Sequence, residues 1–137
     1  MQLSVEQLKP RILVADDDPV IRHLVCSVVK SEGYEVVIAE DGREALKILQ
    51  TDTDFKGAIF DMMMPHIEGI DVIRYMKTEK RFMRIPVMMI TSEQDFRLAG
   101  KTFAAGATLF LQKPFTHAQL KNMLHTLVTQ RITDSVS

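Results

Sequence analysis

Four short apolar runs, each stopping at polar residues, constrain this chain more than any other feature. Ile12-Leu13-Val14-Ala15 stops at Asp16-Asp17, and Gly57-Ala58-Ile59-Phe60 stops at Asp61. Val87-Met88-Met89-Ile90 stops at Thr91, and Thr108-Leu109-Phe110-Leu111-Gln112 stops at Lys113-Pro114. Runs this short, with little polar alternation, read as strands covered on both faces, the habit of a parallel sheet. Glu35 to Ala39 reads as a further strand, and helical patterns fill the intervals. Five strand-helix pairs in alternation predict an α/β fold, a doubly wound five-stranded parallel sheet with helices on both faces.

Helix boundaries are written in capping residues. Asp18 is placed to cap a helix whose first residue is Pro19, with Val20, Ile21, Leu24, Val25, Val28 and Val29 at helical spacing and Gly33 as its stop. Asp41 and Glu44 are spaced as an acidic cap for a second helix carrying Ala45, Leu46, Ile48 and Leu49 on one face. Ile70, Ile73 and Met76 mark a third helix ending in the basic stretch Lys77 to Arg84, and Pro86 opens the fourth strand. Ser92 and Asp95 are spaced to cap a fourth helix through Ala105, closed by Gly106 in a left-handed conformation. Thr116 and Gln119 form a capping box for a fifth, which carries Leu120, Met123, Leu124, Leu127 and Val128.

Ligands of open parallel sheets bind beyond the carboxyl ends of the strands, so Asp16, Asp17, Asp61, Thr91 and Lys113 are expected to converge on one edge. Oxygen-preferring divalent cations take one or two carboxylates plus waters and a phosphate, which the three aspartates could supply. A carboxylate can also attack phosphorus to give an aspartyl phosphate, whose oxygens then need cations and hydrogen-bond donors. Lys113 and the Thr91 hydroxyl meet the second need. Two adjacent acids repel unless a cation offsets them, which argues against reading Asp16 and Asp17 as an idle polar turn.

The acidic pair after the first strand, the stretch Asp61-Met62-Met63-Met64-Pro65 with Gly69 beyond it, the Thr91-Ser92 step and the Lys113-Pro114-Phe115 step together resemble the receiver domain of two-component response regulators. The resemblance covers about Arg11 to Val128, in the manner of the single-domain chemotaxis regulators, and implies a flavodoxin-like sheet of the receiver type. It implies Asp61 as phosphoacceptor, with Thr91 and Lys113 contacting the phosphoryl group. It also implies Mg2+, or Mn2+, on Asp16, Asp17, Asp61 and the Met63 backbone carbonyl, and a cis bond between Lys113 and Pro114. Thr91 and Phe110 would form the switch, Phe110 turning inward as the hydroxyl moves toward the phosphoryl group. Met63 and Glu93 would flank the path of hydrolytic water. The implied partners are a sensor histidine kinase or histidine phosphotransfer protein, and a downstream protein at the face of the fourth helix, fifth strand and fifth helix. There Phe96 or Phe103 is a candidate anchor. The protein would be a signalling phosphoacceptor in a phosphorelay, catalysing only its own phosphotransfer and slow dephosphorylation.

Length and composition set the remaining bounds. A chain of 137 residues suits one domain, and the reading divides it into an extension over 1–10, a receiver over 11–130 and a tail over 131–137. No output domain fits such a tail. A net charge of −1 gathers neither nucleic acid nor anionic lipid. Cys26 is single and sits on an apolar helical face, so a small buried hydrophobe in a reduced, cytoplasmic protein is the expectation. A monomer or weak dimer is expected, with no membrane span. Of the five clustered methionines, Met64 matches a residue frequent in receivers, Met62, Met63, Met88 and Met89 are read as packing or rim residues, and the four scattered histidines as no metal site. Asp16 and Asp18 also spell the D-x-D of aspartate-nucleophile phosphohydrolases, an enzyme rival that leaves the Asp61 stretch unexplained. A docking module that works without phosphorylation is the other alternative. A flavin carrier is set aside because the loop after the first strand has no glycine or hydroxyl cluster to cradle a phosphate.

Overall fold

Apolar runs with no polar face must be covered on both sides, and the strands they form are buried accordingly. In the computed structural model, which describes residues 9–52, 54–92 and 96–129, the elements alternate without exception. They are β1 (Arg11–Ala15), α1 (Pro19–Ser31), β2 (Glu35–Ala39), α2 (Gly42–Thr51), β3 (Gly57–Asp61), α3 (Gly69–Thr78), β4 (Val87–Thr91), α4 (Phe96–Ala105), β5 (Leu109–Gln112) and α5 (His117–Thr129). Every residue of β3 and β4 is buried. All five strands are parallel in the order β2-β1-β3-β4-β5. The chain therefore reverses its winding direction between β1 and β3, the point where a cleft opens at the strand ends.

Side chains alternate across the sheet and feed two cores. Leu13, Ala15, Ala58, Phe60, Val87 and Met89 pack with Ala45 and Leu49 of α2 and with Val72, Ile73 and Met76 of α3. Ile12, Val14, Ile59, Met88, Ile90 and Leu111 face the other way, against Val25, Cys26, Val28 and Val29 of α1 and Leu120, Leu124 and Leu127 of α5. Met62, Met76, Met88 and Met89 are fully buried filler, as befits a flexible thioether, while Met63 is exposed.

The caps stand where the residue types put them. Asp18 accepts from the backbone N–H of Val20 at 2.9 Å, and Asp41 accepts from that of Glu44 at 2.8 Å. Thr116 and Gln119 close a reciprocal box at 2.8 and 3.0 Å. Gly33 and Gly106 take positive φ of 93° and 123°, where a Cβ is disfavoured. For α4, Asp95 lies outside the described residues. The third helix ends at Thr78, inside the basic stretch as expected, and Phe82 and Ile85 beyond it are buried in the core. One boundary differs from the sequence expectation. Thr108 lies just before β5, where its N–H donates to the Val87 carbonyl and its hydroxyl accepts from the Val87 N–H.

Two glycines admit close backbone approaches beside the cleft. A Cβ on Gly42 would lie 2.0 Å from the Ile67 carbonyl oxygen, and one on Gly69 would lie 2.4 Å from the Asp61 carbonyl oxygen. Neither obstacle is a flexible side-chain end, so the loop after β3 would have to move. Gly42→Ala is expected to destabilise the fold by about 2 kcal/mol, the scale of an overpacked site. Gly100→Ala, where a Cβ meets open space on α4, is expected to stabilise by roughly 0.8 kcal/mol through helix propensity. Paired denaturant melts of the two variants check both signs.

Candidate functional site

β1 and β3 pair with Ala15 opposite Phe60, so the residues that follow, Asp16 and Asp61, emerge side by side at the carboxyl edge of the sheet. The ladder continues past the strands. Asp16 donates its N–H to the Ala39 carbonyl, Met62 donates to Ile90, and Lys113 donates to Thr91 at 2.7 Å. These bonds hold the first residues beyond each strand as firmly as the strands themselves. Asp16 and Asp61 are buried, at 1% and 6% exposure, whereas Asp17 is exposed. One carboxylate oxygen from each of the three lies within 4.8 Å of the others.

Lys113 closes the group from β5, its Nζ 3.6 Å from Asp61 Oδ1. The same oxygen accepts from the Met63 N–H at 3.4 Å. Thr91 is buried at the end of β4, next to Ile90, which pairs with Asp61. The Lys113–Pro114 bond is cis. All five residues expected at the site are thus brought to one edge. The Met63 side chain points into solvent, at 55% exposure, and only its backbone turns toward the cluster. Phe110 is half-buried against the α2-α3 core, with its ring 6.1 Å from that of Phe103, which is itself well exposed. Glu93 lies outside the described residues, as does the side chain of Phe96.

The electrostatics follow from this crowding. Burial, and after it the Asp16 charge, push the Asp61 carboxyl up to about 7, with Lys113 and the Met63 N–H pulling the other way. Burial likewise raises Asp16, against the Asp18 N–H and Lys113. Lys113 alone does not compensate the acids. The donor set fits a hard divalent cation, since it offers only carboxylate oxygens, with Asp17 solvent-exposed.

Three fixings of Asp16 were not legible in the sequence. Besides its N–H bond, its Oδ1 accepts from the Asp18 N–H at 2.9 Å, and its carbonyl accepts from Arg22 Nη1 of α1 at 2.8 Å. A guanidinium aimed at a backbone carbonyl leaves no residue-type signal beyond a basic residue one turn into the helix.

Comparison with known proteins decides the family. The model for the response regulator receiver domain matches residues 12–125. The chain belongs to that family. This receiver is 34% identical over 119 residues to Chemotaxis protein CheY1 of Helicobacter pylori, covering 86% of this chain and 96% of that one. It is 29% identical to the Chemotaxis protein CheY homolog of Campylobacter jejuni, over 86% of this chain and 92% of the other. Among solved structures it is similar to the chemotaxis response regulator CheY4 of Vibrio cholerae, with a TM-score of 0.81, 32% identity and coverage of 87% and 98%. The domain is therefore a two-component signalling module of the chemotaxis-regulator type. Among the described residues, no helix is long and apolar enough to cross a membrane.

The raised Asp61 fixes a sign for the receiver's pH dependence without divalent cations. Between 3.8, where the unfolded carboxyl ionises, and about 7, the folded state keeps a proton that the unfolded state has lost. Stability is then lost as pH rises through that window. Thermal melts in chelator are expected to show the melting temperature falling from pH 4 to pH 7, with a shallower fall in Asp61→Asn. An identical fall in the variant would remove Asp61 as its source.

Proposed function

We propose that this receiver, a single unit over 11–130, accepts a phosphoryl group on Asp61 from the phosphohistidine of a sensor kinase or phosphotransfer protein. In the transfer, an Asp61 carboxylate oxygen forms the new bond to phosphorus, the N–P bond breaks, and its electron pair returns to the imidazole. The observation that carries this reading is the meeting of three carboxylates within 4.8 Å beside a lysine 3.6 Å from Asp61, at the point where the sheet reverses direction. Asp16, Asp17, Asp61 and the Met63 carbonyl are the residues that would hold Mg2+, which when bound supplies positive charge to the phosphoryl oxygens.

The chain's own residues account for the rest. The Asp16 and Met62 ladder bonds hold the attacking carboxylate's surroundings rigid, so little reorganisation remains for the transfer itself. Lys113 pairs with Asp61 beforehand and stays within reach of a phosphoryl oxygen afterwards. The Thr91 hydroxyl serves as donor to a second oxygen, and the burial of Thr91 strengthens that contact. Thr91 and Phe110 sit on adjacent strands, with Met89 paired to Phe110 and Thr91 to Gln112. Movement of the hydroxyl toward the phosphoryl group would free space that the Phe110 ring can enter. Its neighbour Phe103 lies on α4, so the α4-β5-α5 face is the output surface in this reading, and exposed Phe103 its anchor for a protein target.

The phosphohydrolase alternative needs Asp18 as a general acid directed at a substrate. In the fold the Asp18 carboxylate faces the other way along the chain, accepting the N–H groups of Val20 and Ile21 at the start of α1. That engagement disfavours the D-x-D reading.

Intact-mass measurement after incubation with Mg2+ and a small-molecule phosphodonor is the test. One phosphoryl adduct is expected on the wild type, none on Asp61→Asn, and none when chelator replaces Mg2+. An adduct of equal yield on Asp61→Asn would overturn the assignment. So would no adduct on a wild type shown to bind Mg2+, which would favour a docking module independent of phosphorylation.

A further inference from the structure

Asp17 is the one member of the acidic cluster with no hydrogen bond or ion pair to its own carboxylate among the described residues, and it is solvent-exposed. Its direction must come from the backbone. The two peptide planes flanking it are both held from outside. The Asp17–Asp18 plane is held by the Asp18 N–H, which donates to Asp16 Oδ1 at 2.9 Å. The Asp16–Asp17 plane is held through the Asp16 carbonyl, which accepts from Arg22 Nη1 at 2.8 Å. With both planes fixed, the Asp17 Cα–Cβ bond has one direction, from which its carboxylate lies within 4.8 Å of those of Asp16 and Asp61. Arg22 is itself anchored, since its N–H makes the first helical bond of α1 to the Asp18 carbonyl at 2.9 Å.

We infer that Arg22 is a positioning residue for the cation site: by holding the Asp16 carbonyl it presets Asp17 as a ligand before the metal arrives. The inference rests on the Mg2+ site proposed above and adds a residue outside the acidic cluster. Without the guanidinium, the Asp16–Asp17 peptide gains freedom to rotate, and the entropy of ordering Asp17 falls on the binding step. Removing groups that orient metal ligands typically weakens metal affinity by roughly 10–100-fold. The chemistry of Asp61 is untouched, so the loss belongs in Mg2+ affinity rather than in transfer at saturating Mg2+.

The test is titration of Mg2+ alone into the full chain, read by calorimetry, for wild type, Arg22→Met and Arg22→Lys. Arg22→Met keeps the apolar stem and loses the donor, whereas Arg22→Lys keeps one donor. The expected result is a Kd for Mg2+ raised about tenfold in Arg22→Met and within about threefold of wild type in Arg22→Lys. Yield of phosphoryl adduct at saturating Mg2+ is expected to match wild type in both. Should Arg22→Met not melt cooperatively, Arg22→Gln, too short to span the same gap, carries the same expectation. Wild-type affinity in the variant lacking the donor would overturn the role of Arg22 while leaving the cation site standing. An equal loss in Arg22→Lys would also overturn it. No Mg2+ binding by wild type would instead remove the site on which both rest.

Discussion

Two buried carboxylates held side by side are the constraint on which the rest of this domain turns. At the 4.8 Å that bounds their separation, two like charges repel by on the order of 3 kcal/mol at an effective dielectric of 20. A single neutral hydrogen bond offsets about 1 kcal/mol, and the Met63 N–H makes a long one at 3.4 Å. Lys113 is partly buried and neutralises one charge of the three. The site as built is thus short of positive charge, a shortage that protons held on the acids or a divalent cation would meet. On the proposed function, a phosphoryl group transferred to Asp61 would enter a place already arranged for that cation.

The fold keeps the acids together through ordinary secondary structure. Parallel ladders run one residue past β1, β3 and β5, so the side chains of the cluster are carried on backbone that is strand-like in rigidity rather than loop-like. The register of β3 against β1 and β4, with Ala15 opposite Phe60 and Ile90 opposite Asp61, puts Asp61 at the carboxyl edge beside Asp16. The loop after Asp61 is folded tightly over α2 and into α3, which is why glycine occupies positions 42 and 69. Strain introduced at position 69 would reach the Asp61 main chain directly, and at position 42 it would reach the Ile67 carbonyl in the loop that follows.

Much of this was legible in the sequence because it rests on local patterns. Apolar runs gave the strands, and Asp18, Asp41 and Thr116-Gln119 gave three helix starts, each with its expected hydrogen bonds. The convergence of Asp16, Asp17, Asp61, Thr91 and Lys113 followed from strand ends sharing one edge. What escaped depends on contacts distant in sequence or on backbone acceptors. Gly42 meets Ile67, Arg22 reaches a main-chain carbonyl, and Phe82, inside the basic stretch, is fully buried in the core. The contrast between buried Asp16 and exposed Asp17 likewise needs the sheet, since in sequence the two are equivalent neighbours.

Direct titration of the Asp61 carboxyl carbon by NMR, with and without Mg2+, tests the central claim most closely. In chelator the resonance is expected to titrate near 7, and saturating Mg2+ is expected to move the midpoint well below that. An Asp61 that titrates at the ordinary 3.8 in chelator, and does not respond to Mg2+, would contradict the claim that these acids are crowded together awaiting a cation.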